Sequence, residues 1–497
     1  MRKSKILGLS LSSLVLVASL VGCNPTNPSQ SSSSGQSSSV DDDFPTADDP
    51  LFSKFTGELE QNVTLHVLEN DTAKSLGYLD ELLYAFNKEY AKYGITAVDA
   101  NIDQYTDLAQ DGPAGYGPDV LYQANDMIMR YVQGHHVMPL PTEKIEAEKQ
   151  IPANAKKAYY STYNDKKYTF GVPVNVQGPL IFYNKSLLPE NSDANADGVP
   201  DVLESWNNLY AFSKEREEED PTYRGYMKAL YDAYFSTGFE FTYGAYIFGS
   251  DNTDSSDIGI NKGEAWKGAW ELRQLASAMD KTCTDDSINT TGYKKIADGI
   301  YFATMSTPDV TNNFIKEMQA NYEDQGHSAS EALQMAKDNL GVANLPALPE
   351  SGDLSEANPT LVTMKSMGGI NGYAISSYTK YPNDSLAFLN FATSYEQVKQ
   401  RIDYLGIAPC REDLTSASSQ SSQWLYERLK SGDIYLMPSI SAVSQIWTPL
   451  ETLNKDLAGD PFRDEADQKY KTQADFQEGL DKAAQQIEDA ITTLGGD

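Results

Sequence analysis

The chain has 497 residues, and 71 Asp and Glu against 39 Lys and Arg leave a formal net charge of -32. A protein this acidic lacks the basic surface that nucleic acid requires, so composition argues against nucleic-acid binding. The residues from Thr56 onward exceed what a single hydrophobic core comfortably holds, and at least two lobes are expected.

The N-terminus has the features of an export signal. Arg2, Lys3 and Lys5 precede an apolar run over residues 6–20, which is too short for a comfortable membrane span. Cys23 follows Val21-Gly22 directly, and this arrangement resembles the lipobox of bacterial lipoproteins, in which signal cleavage leaves a lipidated N-terminal cysteine. We predict a signal peptide at 1–22 and a lipid anchor on Cys23, the only membrane attachment, on the extracellular face of the cell membrane.

The segment that follows has the composition of a spacer. Serines fill residues 31–34 and 37–39, aspartates fill 41–43, and little apolar surface is available for burial. Such a segment cannot repay the entropy of ordering. We predict a disordered tether over residues 23–56.

The first part of the globular body predicts a β-α-β unit. Residues 63–68 alternate like a strand, apolar residues at helical spacing predict a helix over 79–93 ending at Gly94, and 95–98 reads as a second strand. This order favours an α/β fold. Further strands are expected at 119–122, 169–176, 178–183, 301–305, 340–345 and 373–376, and helices at 124–133, 206–217, 263–279, 385–393 and 473–494.

Residues 193–204 fit the twelve-residue loop of an EF-hand. Oxygen-bearing side chains occupy positions 1, 3, 5, 9 and 12, glycine occupies position 6, and the Val199 carbonyl would serve at position 7. The ligands would be Asp193, Asn195, Asp197, Val199, Asp201 and Glu204. Pro200 departs from intracellular EF-hand loops and resembles the calcium loops of secreted proteins. We predict a structural calcium site here.

A series of short motifs runs in order along the chain from about Val63 to Trp447. They are Gly117-Pro118-Asp119-Val120-Leu121, Gly171-Val172-Pro173-Val174, Tyr183-Asn184-Lys185-Ser186-Leu187-Leu188, Tyr234-Phe235, Leu345-Pro346, Gly406-Ile407-Ala408-Pro409-Cys410-Arg411 and Met437-Pro438. Together they resemble the bacterial extracellular solute-binding proteins of the maltose-binding type, which serve carbohydrate ABC importers.

The resemblance implies a two-lobed α/β fold of the type II periplasmic-binding-protein class, with the ligand in a cleft between lobes. The N-terminal lobe would comprise 57–174 plus 362–413, and the C-terminal lobe 175–361 plus 414–497. Chain crossings between them would fall near 174–177, 361–366 and 414–416.

The resemblance also implies a set of ligand-binding residues. Matched position by position, Tyr234 and Trp447 would stack on sugar rings, while Asp71, Asp126 and Asp232 would accept sugar hydroxyls. Gln123 and Asp309 stand where the maltose-binding member has tryptophans, and Gln177 stands in place of a glutamate. Met127 replaces an arginine, so the resemblance implies a sugar cleft whose chemistry differs from that of a maltose site.

The resemblance implies a monomeric binding protein without catalytic activity. It would capture an extracellular carbohydrate, an oligosaccharide in preference to a single sugar, and deliver it to the permease subunits of an ABC importer. Two alternatives stay open, namely a lipid-anchored glycan hydrolase with paired carboxylates and a surface adhesin without a transport role. The chain has no G-x-S-x-G, H-E-x-x-H or Walker motif. Cys283 and Cys410 could pair or stay free.

Overall fold

A computed structural model describes residues 44–494, with the exception of 106, 164–165, 197 and 417. The predicted signal peptide, Cys23 and the first part of the predicted tether lie outside the described residues. The chain from Phe44 onward forms one compact unit. Within that part, no helix combines the length and the apolar character that crossing a bilayer would need.

The strands form two main sheets and two small pairs, except that β9 makes only isolated bridges. In chain order they are β1 (Val63–Leu68), β2 (Ile95–Asp99), β3 (Val120–Ala124), β4 (Tyr160–Tyr163), β5 (Lys166–Thr169), β6 (Val172–Gln177), β7 (Leu180–Asn184), β8 (Arg224–Tyr226), β9 (Asp254–Ile258), β10 (Tyr301–Ser306), β11 (Leu340–Ala343), β12 (Leu348–Pro349), β13 (Leu361–Val362), β14 (Ser366–Ile375), β15 (Ala408–Pro409) and β16 (Ile434–Leu436).

Helices cover the faces of the sheets. In chain order they are α1 (Asp71–Ser75), α2 (Tyr78–Tyr90), α3 (Leu108–Ala114), α4 (Asn125–Gln133), α5 (Ala153–Lys157), α6 (Trp206–Glu219), α7 (Ala233–Ser236), α8 (Gly238–Thr242), α9 (Gly249–Asn252), α10 (Trp266–Ala276), α11 (Ser287–Ala297), α12 (Thr311–Asp324), α13 (Ala329–Asn339), α14 (Pro382–Ala392), α15 (Tyr395–Leu405), α16 (Glu412–Thr415), α17 (Gln420–Ser431), α18 (Trp447–Gly459) and α19 (Gln473–Leu494).

The larger sheet has the strand order β15-β6-β14-β3-β1-β2, and β16 pairs with the first residues of β14. Strands β1, β2 and β3 are parallel, while β14 runs antiparallel to both β3 and β6. Every residue of β14 is buried. The carboxyl ends of β1 and β3 therefore lie side by side, which is where ligands bind in open α/β sheets.

The smaller sheet has the order β11-β7-β10-β8, and it forms the second lobe with its surrounding helices. Strand β7 is antiparallel to β10 and β11, and β8 is parallel to β10. Gly178-Pro179 alone separates β6 in the larger sheet from β7 in the smaller one. The predicted two-lobed α/β fold is confirmed, and the chain passes from one sheet to the other at this junction, directly after residues 174–177.

The predicted tether ends earlier than residue 56. Phe52 and Phe55 are buried in the core of the first lobe, and the Phe52 ring meets the edge of Tyr168. Asp49 binds Lys166 Nζ at 2.8 Å and caps the short 3₁₀ helix Pro50–Phe52. The prediction of disorder is therefore wrong for residues 44–56, because these aromatic side chains supply the apolar surface that the serine-rich part lacks.

Both cysteines of the body are free thiols. Cys283 lies in the second lobe, Cys410 follows β15 in the first, and both are fully buried. Burial raises the pKa of the Cys283 thiol to about 12. A disulfide between them, left open by the sequence, is not present.

A buried ion pair fastens the end of β1 to α15. Arg401 donates to both carboxylate oxygens of Glu69, at 2.7 and 3.0 Å, and both side chains are fully buried. The Tyr373 hydroxyl donates to the same carboxylate, and the guanidinium lies 3.8 Å from the ring centroid of Tyr122. The pair thus connects β1, β3, β14 and α15 behind the loop that carries Asp71.

We expect Arg401→Met to lower the free energy of unfolding by about 3–5 kcal/mol, because Glu69 would remain as an uncompensated buried charge. Urea unfolding followed by circular dichroism measures the change. The double variant Glu69→Leu/Arg401→Met should recover most of the loss. Lys399→Met, which breaks an exposed pair with Asp403, is the control and should cost less than about 1 kcal/mol. A single Arg401→Met variant as stable as this control would contradict the prediction.

Candidate functional site

The first lobe presents its predicted site residues at the carboxyl ends of two parallel strands. Asp71 is the first residue of α1, just beyond β1, and Asp126 is the second residue of α4, directly after β3. Asn70 fixes the start of α1 because its side chain accepts from Ala73 N at 2.7 Å. The side-by-side pairing of β1 and β3 places the two aspartates at the same edge of the sheet.

The second lobe presents its residues on loops that follow β8 and β10. Asp232 caps α7, and its Oδ1 accepts from Tyr234 N at 3.2 Å. Asp309 lies in a short 3₁₀ helix, Pro308–Val310, that directly follows β10. Trp447 is the half-buried first residue of α18, which packs against α7.

Tyr105 lies near acidic residues of both lobes. Partial burial raises the pKa of the Tyr105 hydroxyl, and the charges of Asp71, Asp103, Asp126 and Asp309 raise it further. Three of these carboxylates come from the first lobe and Asp309 comes from the second. Tyr105 itself is 69% exposed and therefore open to a ligand.

Tyr234 occupies the same cleft from the other side. Burial raises the pKa of its hydroxyl strongly, and the charges of Asp309, Asp232 and Asp126 add to the shift. The hydroxyl is shielded from solvent yet has no hydrogen-bond partner among the described residues, and the same is true of Asp309 Oδ1. Buried polar atoms without partners are costly, so a ligand that hydrogen-bonds to them would gain free energy.

The acidic side chains of the cleft are desolvated. Burial is the main cause that raises the pKa of Asp126, of Asp232 and of Asp309 above the ordinary aspartate value. Arg130 opposes the shift at Asp126, and Lys228 opposes it at Asp232. Hydrogen-bond donors of a ligand would stabilise the ionised carboxylates in the same way.

The two glutamines are held in different ways. Gln123 is buried, and its side-chain amide donates to the carbonyl of Gln104, whose own side chain accepts from Asp71 N at 3.0 Å. Gln123 thus positions the Asp71 loop through Gln104. Gln177 is half-buried as the last residue of β6, opposite Gly369 of β14, at the junction between lobes.

Arg428 is a residue of this region that the sequence analysis missed. It is buried, and it donates to the Pro179 carbonyl at 3.1 Å and to Ser366 Oγ at 2.7 Å. Burial lowers the pKa of Arg428 to about 10, and the charges of Asp433 and Tyr234 oppose the shift. A lone arginine in the helix α17 has no motif around it, so only the folded chain reveals its contacts.

The predicted calcium loop folds back on itself. Gly198 has a φ of 87°, in the left-handed region that glycine favours, and its amide donates to Asp193 Oδ2 at 3.0 Å. Asn195 Nδ2 lies 2.6 Å from Glu204 Oε1. Predicted ligand positions 3 and 12 are therefore in direct contact, and position 1 is bonded to the glycine at position 6.

Asp201 lies on the same turn, since its Oδ1 accepts from Ala194 N at 3.0 Å, and Val199 is half-buried. Asp197, the predicted ligand at position 5, lies outside the described residues. Across the residues that are described, no three or more His, Cys, Asp or Glu side chains gather closely enough to hold a metal ion. The calcium site stays a prediction.

Comparison with known proteins decides the family. Residues 71–399, more than half of the chain, match the family described as bacterial extracellular solute-binding protein. The chain belongs to this family. A galactooligosaccharide-binding protein of Bacillus subtilis is 27% identical over 434 residues, which cover 84% of this chain and 87% of the relative.

Two further proteins resemble this solute-binding protein along most of its length. A maltooligosaccharide ABC transporter solute-binding lipoprotein of Streptococcus pneumoniae is 23% identical over 76% of this chain and 80% of the relative. The crystal structure of a maltose-binding protein from Listeria monocytogenes, solved with maltose, superposes with a TM-score of 0.63 at 23% identity, covering 86% of this chain and 98% of that one. This structural likeness supports the two-lobed fold.

Proposed function

We propose that this solute-binding protein captures an extracellular oligosaccharide between its lobes and delivers it to the permease subunits of an ABC importer. The observation that carries the proposal is the surroundings of Tyr234. Its hydroxyl has no hydrogen-bond partner among the described residues, and the charges of Asp126 from one lobe and Asp309 from the other both raise its pKa. A ligand in that position would contact both lobes at once. Galactooligosaccharide and maltooligosaccharide binding in the named relatives supports a sugar as the ligand.

The chemistry of the cleft suits a sugar. A carboxylate accepts two hydroxyl hydrogens at once, and sugar hydroxyls also accept from a tyrosine hydroxyl. Tyr105, Tyr234 and Trp447 offer aromatic faces to the apolar faces of pyranose rings. Asp309 stands where the maltose-binding member has a stacking tryptophan. Compared with that protein, this cleft would contact a sugar through more carboxylates and fewer aromatic rings. We infer a ligand whose hydroxyls point outward on several sides.

Capture would work by closure of the lobes. A ligand that binds both lobes favours the closed conformation and shifts an open–closed equilibrium toward it. The Gly178-Pro179 junction between β6 and β7 is the point about which such a motion would turn. The family consists of solute-binding proteins, which favours this role over glycan hydrolysis.

Oligosaccharide binding should be stoichiometric and without turnover. In calorimetry with maltotetraose, galactotriose and related oligosaccharides, the tightest ligand should bind Tyr234→Phe about fivefold to tenfold more weakly than wild type, because one hydrogen bond is lost. Tyr84→Phe, which removes a hydroxyl from a ring that is 67% exposed on α2, is the control and should leave affinity unchanged. Because Tyr234 Oη has no partner among the described residues, the Phe variant should melt no lower than wild type.

Chromatography of the same mixtures separates the alternatives. Release of shorter sugars would contradict a binding role and favour a lipid-anchored glycan hydrolase. Failure of every oligosaccharide to bind would favour the adhesin.

We also propose that Cys23 carries a lipid that anchors the protein to the membrane. The support is the Leu20-Val21-Gly22-Cys23 sequence behind a basic and apolar segment, together with a relative named as a lipoprotein. Mass spectrometry of the mature N-terminus should find a diacylated Cys23. A mature chain that begins downstream of Cys23, or an unmodified Cys23, would contradict the anchor.

We further propose that residues 193–204 bind calcium in a structural role. Support comes from the contact between Asn195 and Glu204 and from the bond between Asp193 and Gly198, which bring the loop's oxygen ligands around one turn. Extracellular calcium modules bind weakly, with dissociation constants of about 10⁻⁴–10⁻³ M. Such a site would stabilise the second lobe wherever calcium is abundant.

Adding 10 mM calcium should stabilise the wild-type protein by about 1–3 kcal/mol at this affinity. Glu204→Gln should abolish the effect because it removes the bidentate ligand, and calorimetric titration with calcium chloride should then show no binding. Glu190→Gln, an exposed acid just before the loop, is the matched control and should respond like wild type. An equal response of Glu204→Gln and wild type would contradict the site.

A further inference from the structure

A separate cavity of about 190 Å³ opens beside the cleft in the second lobe. Lys228, Asp232 and Phe235 line it from the segment after β8, Asn289 and Tyr293 from α11, and Thr307 from the loop after β10. At about 30 Å³ per water in the liquid, the volume corresponds to roughly six water molecules. It is therefore larger than a packing defect and of the size of a small polar group or ring.

Lys228 is the unusual residue of this cavity. Its side chain is buried, with 6% of the residue exposed, and among the described residues it makes no hydrogen bond or ion pair. Its Nζ lies 3.4 Å from the ring centroid of Phe235, a cation–π contact. Burial lowers the pKa of Lys228 to about 8, and the charge of Asp232 opposes the shift. Lys228 lines the open space of the cavity, so its ammonium can donate to a ligand group there.

The cavity adjoins Asp309, which lies between the cavity-lining residues Thr307 and Val310. Asp232 lines the cavity and also caps α7, which carries Tyr234 into the cleft. Burial raises the pKa of Tyr293, a cavity residue, and the charge of Asp309 contributes to the shift. A ligand that contacts Asp309 in the cleft therefore lies next to the cavity, so part of that ligand can enter it.

The charges around the cavity determine which chemical groups of a ligand can bind there. A ligand carboxylate would be attracted by Lys228 and repelled by Asp232 and Asp309, while a ligand amine would be repelled by Lys228. A hydroxyl can accept from the ammonium and donate to a carboxylate at the same time. Neutral hydroxyl groups can thus bind both Lys228 and Asp232, and the rings of Phe235 and Tyr293 provide apolar walls.

We propose that this cavity is a side subsite that holds one neutral sugar unit, a branch or an end of the oligosaccharide in the cleft. Lys228 donates to its hydroxyls, and Asp232 accepts from them. The inference rests on the proposed function, since it assigns part of the same ligand to a second group of residues. It makes Lys228 a determinant of which oligosaccharides bind.

The test compares Lys228→Met with Lys294→Met, which removes a lysine from the exposed side of α11 outside the cavity. The probes are linear and branched maltooligosaccharides and galactooligosaccharides, with glucuronate- and glucosamine-containing analogues. For the tightest neutral probe, Lys228→Met should weaken binding at least tenfold, and Lys294→Met should stay within twofold of wild type. Asn289 also lines the cavity but is exposed, so Asn289→Ala should fold normally. It should also weaken binding, which tests the subsite even if Lys228→Met fails to fold.

Hydrogen exchange provides an independent readout. The amides of α11 near Asn289 and Tyr293 should gain protection when the tightest neutral probe binds to wild type, and should gain none in Lys228→Met. Wild-type affinity in Lys228→Met and Asn289→Ala, with unchanged exchange in α11, would overturn the subsite alone. Tighter binding of the glucuronate analogue through Lys228 would overturn the neutral assignment. No binding of any probe to wild type would overturn the proposed function and the subsite with it.

Discussion

Arg428 joins two places where the chain passes between the lobes. Its guanidinium donates to the Pro179 carbonyl, at the junction of β6 and β7, and to Ser366 Oγ, at the start of β14. These segments are neighbours, since Gly369 pairs with Gln177. A buried, planar cation with two fixed acceptors holds the crossings in one arrangement, so the lobes keep a defined hinge. The charge of Arg428 also opposes the rise in the pKa of the Tyr234 hydroxyl.

The cleft contains buried polar groups whose desolvation costs free energy when no ligand is bound. Burial alone raises the pKa of the aspartates from both lobes, and Tyr234 Oη and Asp309 Oδ1 have no partner among the described residues. In the proposed function, sugar hydroxyls supply the missing donors and acceptors, and the free energy gained depends on the lobes being close together. In the proposed subsite, the Lys228 ammonium likewise donates to a sugar hydroxyl in the adjoining cavity.

The spacing of apolar residues and the position of glycine predicted the helices whose bounds depend on local sequence. The helix α2 ends before Gly94, whose φ of 72° fits the predicted stop, and α19 has the predicted bounds. Strand β14 was predicted only for its last residues, because its glycines carry no strand signal and pairing on both sides creates it. The family resemblance named Asp126 and Asp309 as ligand-binding positions, and the structure places them after β3 and after β10; their part in ligand binding stays a prediction. Tyr105 and Arg428 acquire their roles from tertiary contacts that no local pattern encodes.

Capture between the lobes is tested most directly by small-angle X-ray scattering. The radius of gyration of the purified mature protein would be measured alone and with a saturating concentration of the tightest oligosaccharide, with saturation established by calorimetry. The account predicts a smaller radius of gyration in the complex, because a ligand held by Asp126 and Asp309 draws the lobes together. An unchanged radius of gyration at full occupancy would contradict it.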